Sequence, residues 1–151
     1  MALKIIGRDI TNFDCCGGVR GLVTIAGKTF VCKELPKWET VWSGSQAFTE
    51  SGSFTISGLA AGDEATFSAT VNFVADIYDE NKGGWNRYYA TVTATDESLP
   101  YTMTNGYADV NISRNGNVLD FAFVPYEEEY KGMIIRTKPE TLTFTNVKKK
   151  V

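Results

Sequence analysis

From Ala65 to Tyr78 the chain alternates, with Phe67, Ala69, Val71 and Phe73 on odd positions and Thr66, Ser68, Thr70 and Asn72 between them. Successive side chains of a strand point to opposite faces, whereas a helix needs its apolar residues three and four apart. One dry face and one wet face identify a strand of an antiparallel sheet covered on a single side. That one segment sets the fold class to which the rest of the chain must conform.

The neighbouring segments obey the same period. Arg87 to Thr95 sets Tyr88, Ala90, Val92 and Ala94 against Tyr89, Thr91, Thr93 and Thr95, and the polar Asp79–Gly84 stretch joins it to the first strand as a long hairpin. Gly21–Ile25 and Thr29–Lys33 flank a tight Ala26-Gly27-Lys28 turn. Leu3–Ile6 begins a further short pair, which ends in the turn Asp14-Cys15-Cys16-Gly17-Gly18. Trp38 to Trp42 reads as a strand closed by Gly44-Ser45, and Gly52–Leu59 as another, with Phe54 and Ile56 alternating with polar neighbours. Tyr101 to Ser113 holds two short strands broken at Asn105-Gly106; Asn115-Gly116 marks a hairpin, and Val118–Val124 returns with Leu119, Phe121 and Phe123 on one side. Glu127–Glu129 reads as a charged loop, Met133–Arg136 and Thr141–Phe144 as the last two strands, and Lys148–Lys150 as a frayed, solvated terminus. About nine to eleven strands with regular turn signals predict an all-β antiparallel sandwich, jelly-roll or Ig-like.

Pro36 interrupts the pattern and suggests a division into residues 1–35, an N-terminal hairpin or arm, and residues 36–151, the sandwich. The four prolines, Pro36, Pro100, Pro125 and Pro139, fall at apparent element ends. Thirty-five residues are too few to fold unaided, so the arm would pack on, or extend from, the larger part.

The composition narrows the chemistry. The chain has no histidine, so the commonest general base and metal ligand are missing, and with them any Ser-His-Asp or Cys-His arrangement. No phosphate-binding loop, dinucleotide fingerprint or nucleophile elbow occurs. We therefore expect a non-enzymatic protein with no catalytic residue, no metal site and no cofactor. Cys15, Cys16 and Cys32 make an odd count without ligand spacing and are expected as reduced thiols. A net charge of −3 argues against a nucleic-acid partner. The start Met1–Asp9 lacks the apolar region of a secretory signal, and no run approaches the roughly 20 apolar residues of a membrane span, so a soluble protein made in the cytoplasm is expected.

Three groups of side chains could carry binding or chemistry. Trp85, Asn86, Arg87 and Tyr88, followed by Tyr89, combine flat aromatics with an amide and a guanidinium, as a glycan or receptor site requires. The structural alternative is that Trp85 caps a sandwich edge and that one of Tyr88 and Tyr89 is core or interface, because adjacent strand residues face opposite ways. Asp76, Asp79, Glu80 and the Glu127–Glu129 run could supply a carboxylate pair for glycoside hydrolysis, with Asp76 and Glu128 the first to test. Asp76, Asp79, Glu80 and Asn81 could gather oxygens around a calcium ion, although no EF-hand spacing is present. Solvated loop residues are the ordinary reading of both acidic sets. Asn111-Ile112-Ser113 matches a glycosylation sequon and is taken as chance.

The stretch Gly21–Phe30 resembles the strand, Gly-Lys, aromatic hairpins of phage tail and virion proteins. Thr40-Val41-Trp42-Ser43-Gly44-Ser45, followed by Gly52–Ser57, is similar to the opening of β-sandwich domains in phage tail fibres and base plates. No Gly-x-y or heptad stretch of a fibre shaft occurs, so a compact capsid-decoration or tail-adaptor role fits the resemblance equally well. The resemblance implies a bacteriophage virion structural protein, synthesised in the host bacterial cytoplasm and located in the virion. Its partners would be capsid or tail subunits and copies of itself, with a host surface glycan as a further ligand and no nucleic acid or membrane.

Overall fold

The computed structural model describes residues 36–151 throughout, and before them the strand backbones at 3–5, 8–10, 21–25 and 28–32. Two compact units are present, Met1–Lys37 with Val151, and Trp38–Lys150. In the first, β1 (Leu3–Ile5) pairs with β2 (Arg8–Ile10), and β3 (Gly21–Ile25) with β4 (Lys28–Cys32), both antiparallel. The expected turns at Asp14–Gly18 and Ala26-Gly27 and the state of the Cys15, Cys16 and Cys32 thiols lie outside the described residues.

The second unit is an antiparallel sandwich. One sheet contains β5 (Trp38–Phe48), β7 (Ala65–Asp79), β8 (Gly84–Ser98), β12 (Tyr126–Tyr130) and β13 (Met133–Lys150). The other runs β6 (Gly52–Thr55), β11 (Val118–Val124), β10 (Asp109–Asn115), β9 (Tyr101–Thr104). The chain changes sheet between β5 and β6, β6 and β7, β8 and β9, and β11 and β12. One 3-10 turn, Glu80–Lys82, is the only helical element among the described residues, so none of them forms a helix long and apolar enough to cross a membrane.

The core follows from the alternation. Phe67, Ala69, Val71 and Phe73 of β7 are buried together with Leu142, Phe144 and Val147 of β13. From the opposite sheet come Met103, Val110, Ile112, Leu119 and Phe121. Phe144 is the hub of an aromatic cluster, with ring centroids 5.5 Å from Phe54, 5.8 Å from Phe121, 6.1 Å from Phe48 and 6.2 Å from Phe67. Such tilted and edge-on pairs add to plain area burial because the ring edge is positive and its face negative.

Several local expectations are corrected by long-range pairing. Gly44-Ser45 does not end β5, which continues to Phe48 against β13. A Cβ on Gly44 would stand 3.3 Å from the Trp42 ring, so the glycine makes room for the indole rather than a turn. Glu127–Glu129 is not a loop but part of β12. Alternation separates the like charges, Glu127 sits opposite Arg136 at 3.2 Å, and Lys131 and Gly132, both at positive φ, form a two-residue loop of the I′ kind. The last two expected strands are one, β13, which runs through Pro139. Pairing with β12 stops at Thr137 and pairing with β5 begins at Leu142, so the proline lies where β13 has a neighbour on one side only and a missing N–H is tolerated. Lys148–Lys150 are not frayed: they pair in strand with β5, and their ammonium groups meet Asp96, Asp63 and Glu64. At the β10–β11 hairpin the two-residue loop is Gly116-Asn117, with Gly116 at φ +62, the arrangement of a II′ turn; the Asn115-Gly116 pair is not itself the loop.

Candidate functional site

β7 and β8 have 15 residues each and β13 has 18, but the longest strands of the facing sheet have 7. The larger sheet therefore outruns its cover. Phe73 is the last fully buried residue on the sandwich side of β7, and every residue from Ala75 to Asp79 is at least partly exposed. Beyond that point β12, β13, β7 and β8 continue as a four-stranded overhang, exposed on both faces apart from the buried Thr137 of β13.

Register assigns each side chain to a face, since directly opposed residues share one. Ala75 is opposite Tyr88 and Thr137, Ile77 is opposite Asn86 and Ile135, and Thr137 is opposite Tyr126. These residues continue the sandwich-side face, where Tyr126 packs on Tyr107 at 5.5 Å. The Tyr126 hydroxyl donates to Glu128, and that bond raises its pKa above the usual tyrosine value, with burial adding to the shift.

The outer face carries Asp76 opposite Arg87 and Arg136, and Tyr78 opposite Trp85 and Ile134. Arg87 grips Asp76 with two parallel bonds, Nε to Oδ1 at 2.7 Å and Nη2 to Oδ2 at 2.9 Å. This fork holds the Asp76 carboxyl below the usual carboxylate range and raises the guanidinium further. The Arg136 guanidinium lies 5.0 Å over the Trp85 ring, whose aromatic neighbour is Tyr78 with ring centroids 5.4 Å apart. Asp76, Trp85, Asn86, Arg87 and Arg136 bound a shallow hollow of about 340 Å³. Tyr89, 70% exposed, stands beside it on the same face.

The four residues singled out from sequence are thus divided. Trp85 and Arg87 lie on the outer face; Asn86 and Tyr88 lie on the other, and the Asn86 side-chain amide donates to the Gly84 carbonyl at 3.3 Å. Neither Tyr88 nor Tyr89 is core: Tyr88, on the sandwich side, lies beyond the end of the facing sheet and is 49% exposed, and Tyr89 points to the outer face and is 70% exposed. Arg136 completes the outer face, yet nothing in its local sequence marks it. Only the β13–β7 register brings it beside Trp85 and Asp76.

Of the acidic candidates, Asp76 and Glu127 share the outer face on either side of Arg136, each held by an arginine, whereas Asp76 and Glu128 do not meet. Asp76 faces outward and Glu128 faces the sandwich side, so one sheet separates them and they cannot flank one scissile bond. Asp79 instead accepts from the Asn81 amide at 2.9 Å and caps the short turn. No group of three or more His, Cys, Asp or Glu among the described residues is arranged to hold a metal ion. Asn111 of the sequon accepts from the Thr102 hydroxyl at 2.7 Å on the outer face of the smaller sheet.

A larger cleft of about 590 Å³, bounded in part by Trp38, Asp63, Glu64, Leu99 and Arg114, lies away from the overhang. Its charged groups are engaged within the fold. Arg114 donates to the carbonyls of Gly116, Asp63 and Ala60, and Lys149 and Lys150 pair with Asp63 and Glu64. That cleft is a clamp on the 60–64 loop, whereas the overhang leaves large side chains uncovered. The chain matches no known protein family, no curated protein and no solved structure.

Proposed function

We propose that this chain is a non-enzymatic structural protein of a bacteriophage particle, a capsid-decoration or tail component acting through protein–protein contacts at the overhang. The observation that supports this reading is the exposure of large aromatics on both faces of one sheet extension: Trp85 and Tyr89 on one, Tyr88 and Tyr130 on the other. A sugar platform uses a single face. Two aromatic faces suit a projection gripped by neighbouring protein, since Tyr and Trp are enriched where contacts are made. The likeness of Gly21–Phe30, Thr40–Ser45 and Gly52–Ser57 to phage domains supplies the particle. The test is mass spectrometry and electron cryo-microscopy of purified phage particles from the source. The expected result is the chain at fixed positions with its overhang buried against other subunits. Absence from the particles, or an overhang left in solvent, would overturn the reading.

A second reading, a glycan- or receptor-binding module, draws on the outer-face hollow with Trp85, Arg87 and Arg136. It ranks lower because Arg136 already covers the Trp85 ring and a sugar would have to displace it. Glycan-array binding abolished by Trp85→Ala would put this reading first.

A further inference from the structure

Sheet edges present unpaired N–H and C=O groups, and proteins usually blunt them with charge, bulges, proline or shortness. Four edges of the sandwich unit are blunted in these ways. β6 and β9 have only four residues each, β12 carries Glu127, Glu128 and Glu129, and β5 meets β13 with two register irregularities. β8 differs. It ends its sheet, and among the described residues nothing pairs with its outer side. Its ladder with β7 is regular from Gly84 to Ala94. From Tyr88 to Thr95 it has no charge, glycine or proline, and Tyr88, Tyr89, Thr91, Val92, Thr93 and Thr95 are all strong strand formers.

The charges flanking this segment choose the occupant. Arg87, forked to Asp76, precedes it, and Asp96, paired with Lys148, and Glu97, which has no ion-pair partner among the described residues, follow it. Two copies of β8 laid antiparallel about a two-fold axis near Thr91 and Val92 set the cationic end of each against the acidic end of the other. A parallel arrangement would oppose like charges. The edge is therefore self-complementary in one orientation, as a two-fold contact requires. We infer that β8 pairs with β8 of a second copy of this chain, joining the two larger sheets into one continuous sheet. The inference rests on the contact-module reading above and names one of its partners. A two-fold perpendicular to the sheet keeps like faces together, and the two overhangs then project from opposite ends of the joined sheet, each beside the covered half of the other copy's β8.

The experiment is sedimentation velocity on the full chain from low micromolar to near-millimolar concentration, with hydrogen exchange of the Tyr88–Ala94 amides measured over the same range. The expected result is a dimer whose β8 amides slow as it forms. Thr91→Lys with Thr93→Lys, both on the exposed face, should raise the concentration needed for dimerisation by at least about tenfold. The same pair of lysines at Ser53 and Thr55 of β6 should not. A monomer throughout, a dimer with unprotected β8 amides, or indifference to the β8 lysines would overturn the inference. If the lysine variant fails to fold, the exchange data on the unaltered chain decide alone. A monomer found in purified particles would refute the pairing only, and a β8-paired dimer absent from particles would refute the virion reading only.

Discussion

Truncating Phe144 should cost more than truncating any other single side chain of the aromatic cluster. The residue is fully buried and its ring contacts those of Phe48, Phe54, Phe67 and Phe121. Phe144→Ala leaves a void of roughly 100 Å³, worth about 2.4 kcal/mol at the usual cavity coefficient, and the lost transfer energy brings the total to about 4 kcal/mol. A domain of this size has about 5–15 kcal/mol to lose, so the variant should remain folded but be strongly weakened. Phe123 offers the comparison, being partly buried with one ring neighbour, Phe121, at 6.3 Å. Its truncation should cost about 1–2 kcal/mol. Urea unfolding followed by tryptophan fluorescence reads both, because Trp42 sits edge-on to Phe54 at 4.9 Å within the same cluster. With a slope of about 2 kcal/mol per molar urea, the Phe144→Ala midpoint should fall by about 2 M and the Phe123→Ala midpoint by less than about 1 M. Equal shifts in the two variants, or a Phe144→Ala loss below about 1.5 kcal/mol, would refute the claim that these rings form one close-packed core.

Two further outcomes follow from single contacts. A Cβ on Gly58 would stand 2.8 Å from the Val41 Cβ, so Gly58→Ala should destabilise by about 1–3 kcal/mol and Val41→Gly, which removes that Cβ, should cost less in the Gly58→Ala background than alone; additive losses in thermal melts would show that the clash is absent. Asp76 has its pKa lowered in the folded state by Arg87, so its contribution is present above the unfolded value of about 3.9 and is lost as the pH falls through the lower folded value. The melting temperatures of the unaltered chain and Asp76→Asn should differ near neutrality and converge in acid, and a gap independent of pH would contradict the ion pair.

The fold class was legible because a two-residue period survives any tertiary context that keeps one face dry. Phe67, Ala69, Val71 and Phe73 announce the core directly, and Leu119 and Phe121 do so across the Gly116-Asn117 turn. The places where local reading failed share one cause. Glu127–Glu129, Gly44-Ser45, Pro139 and Lys148–Lys150 look like breaks because charge, glycine and proline usually interrupt strands. Each is accommodated by strand pairing outside its own stretch: Arg136 across the β12–β13 hairpin for Glu127, β13 for Gly44, the gap between β12 and β5 for Pro139, and β5 with Asp96, Asp63 and Glu64 for the lysines.

The candidate surface divides in the same way. Trp85, Arg87 and the two tyrosines could be singled out from sequence because they cluster beside a polar turn. Which face each one takes depended on the register with β7, and whether Tyr88 was buried depended on the length of the facing sheet, neither of which a local window contains. By itself the sequence determined that this chain makes antiparallel sheets with one apolar face and few reactive side chains, since alternation and composition are properties of neighbouring residues. Only the tertiary structure decided that one sheet overhangs the other, that Arg136 joins Trp85 and Asp76, and that β8 is left unpaired on its outer side among the described residues, because register and the end of a covering layer are set by residues far apart in the chain.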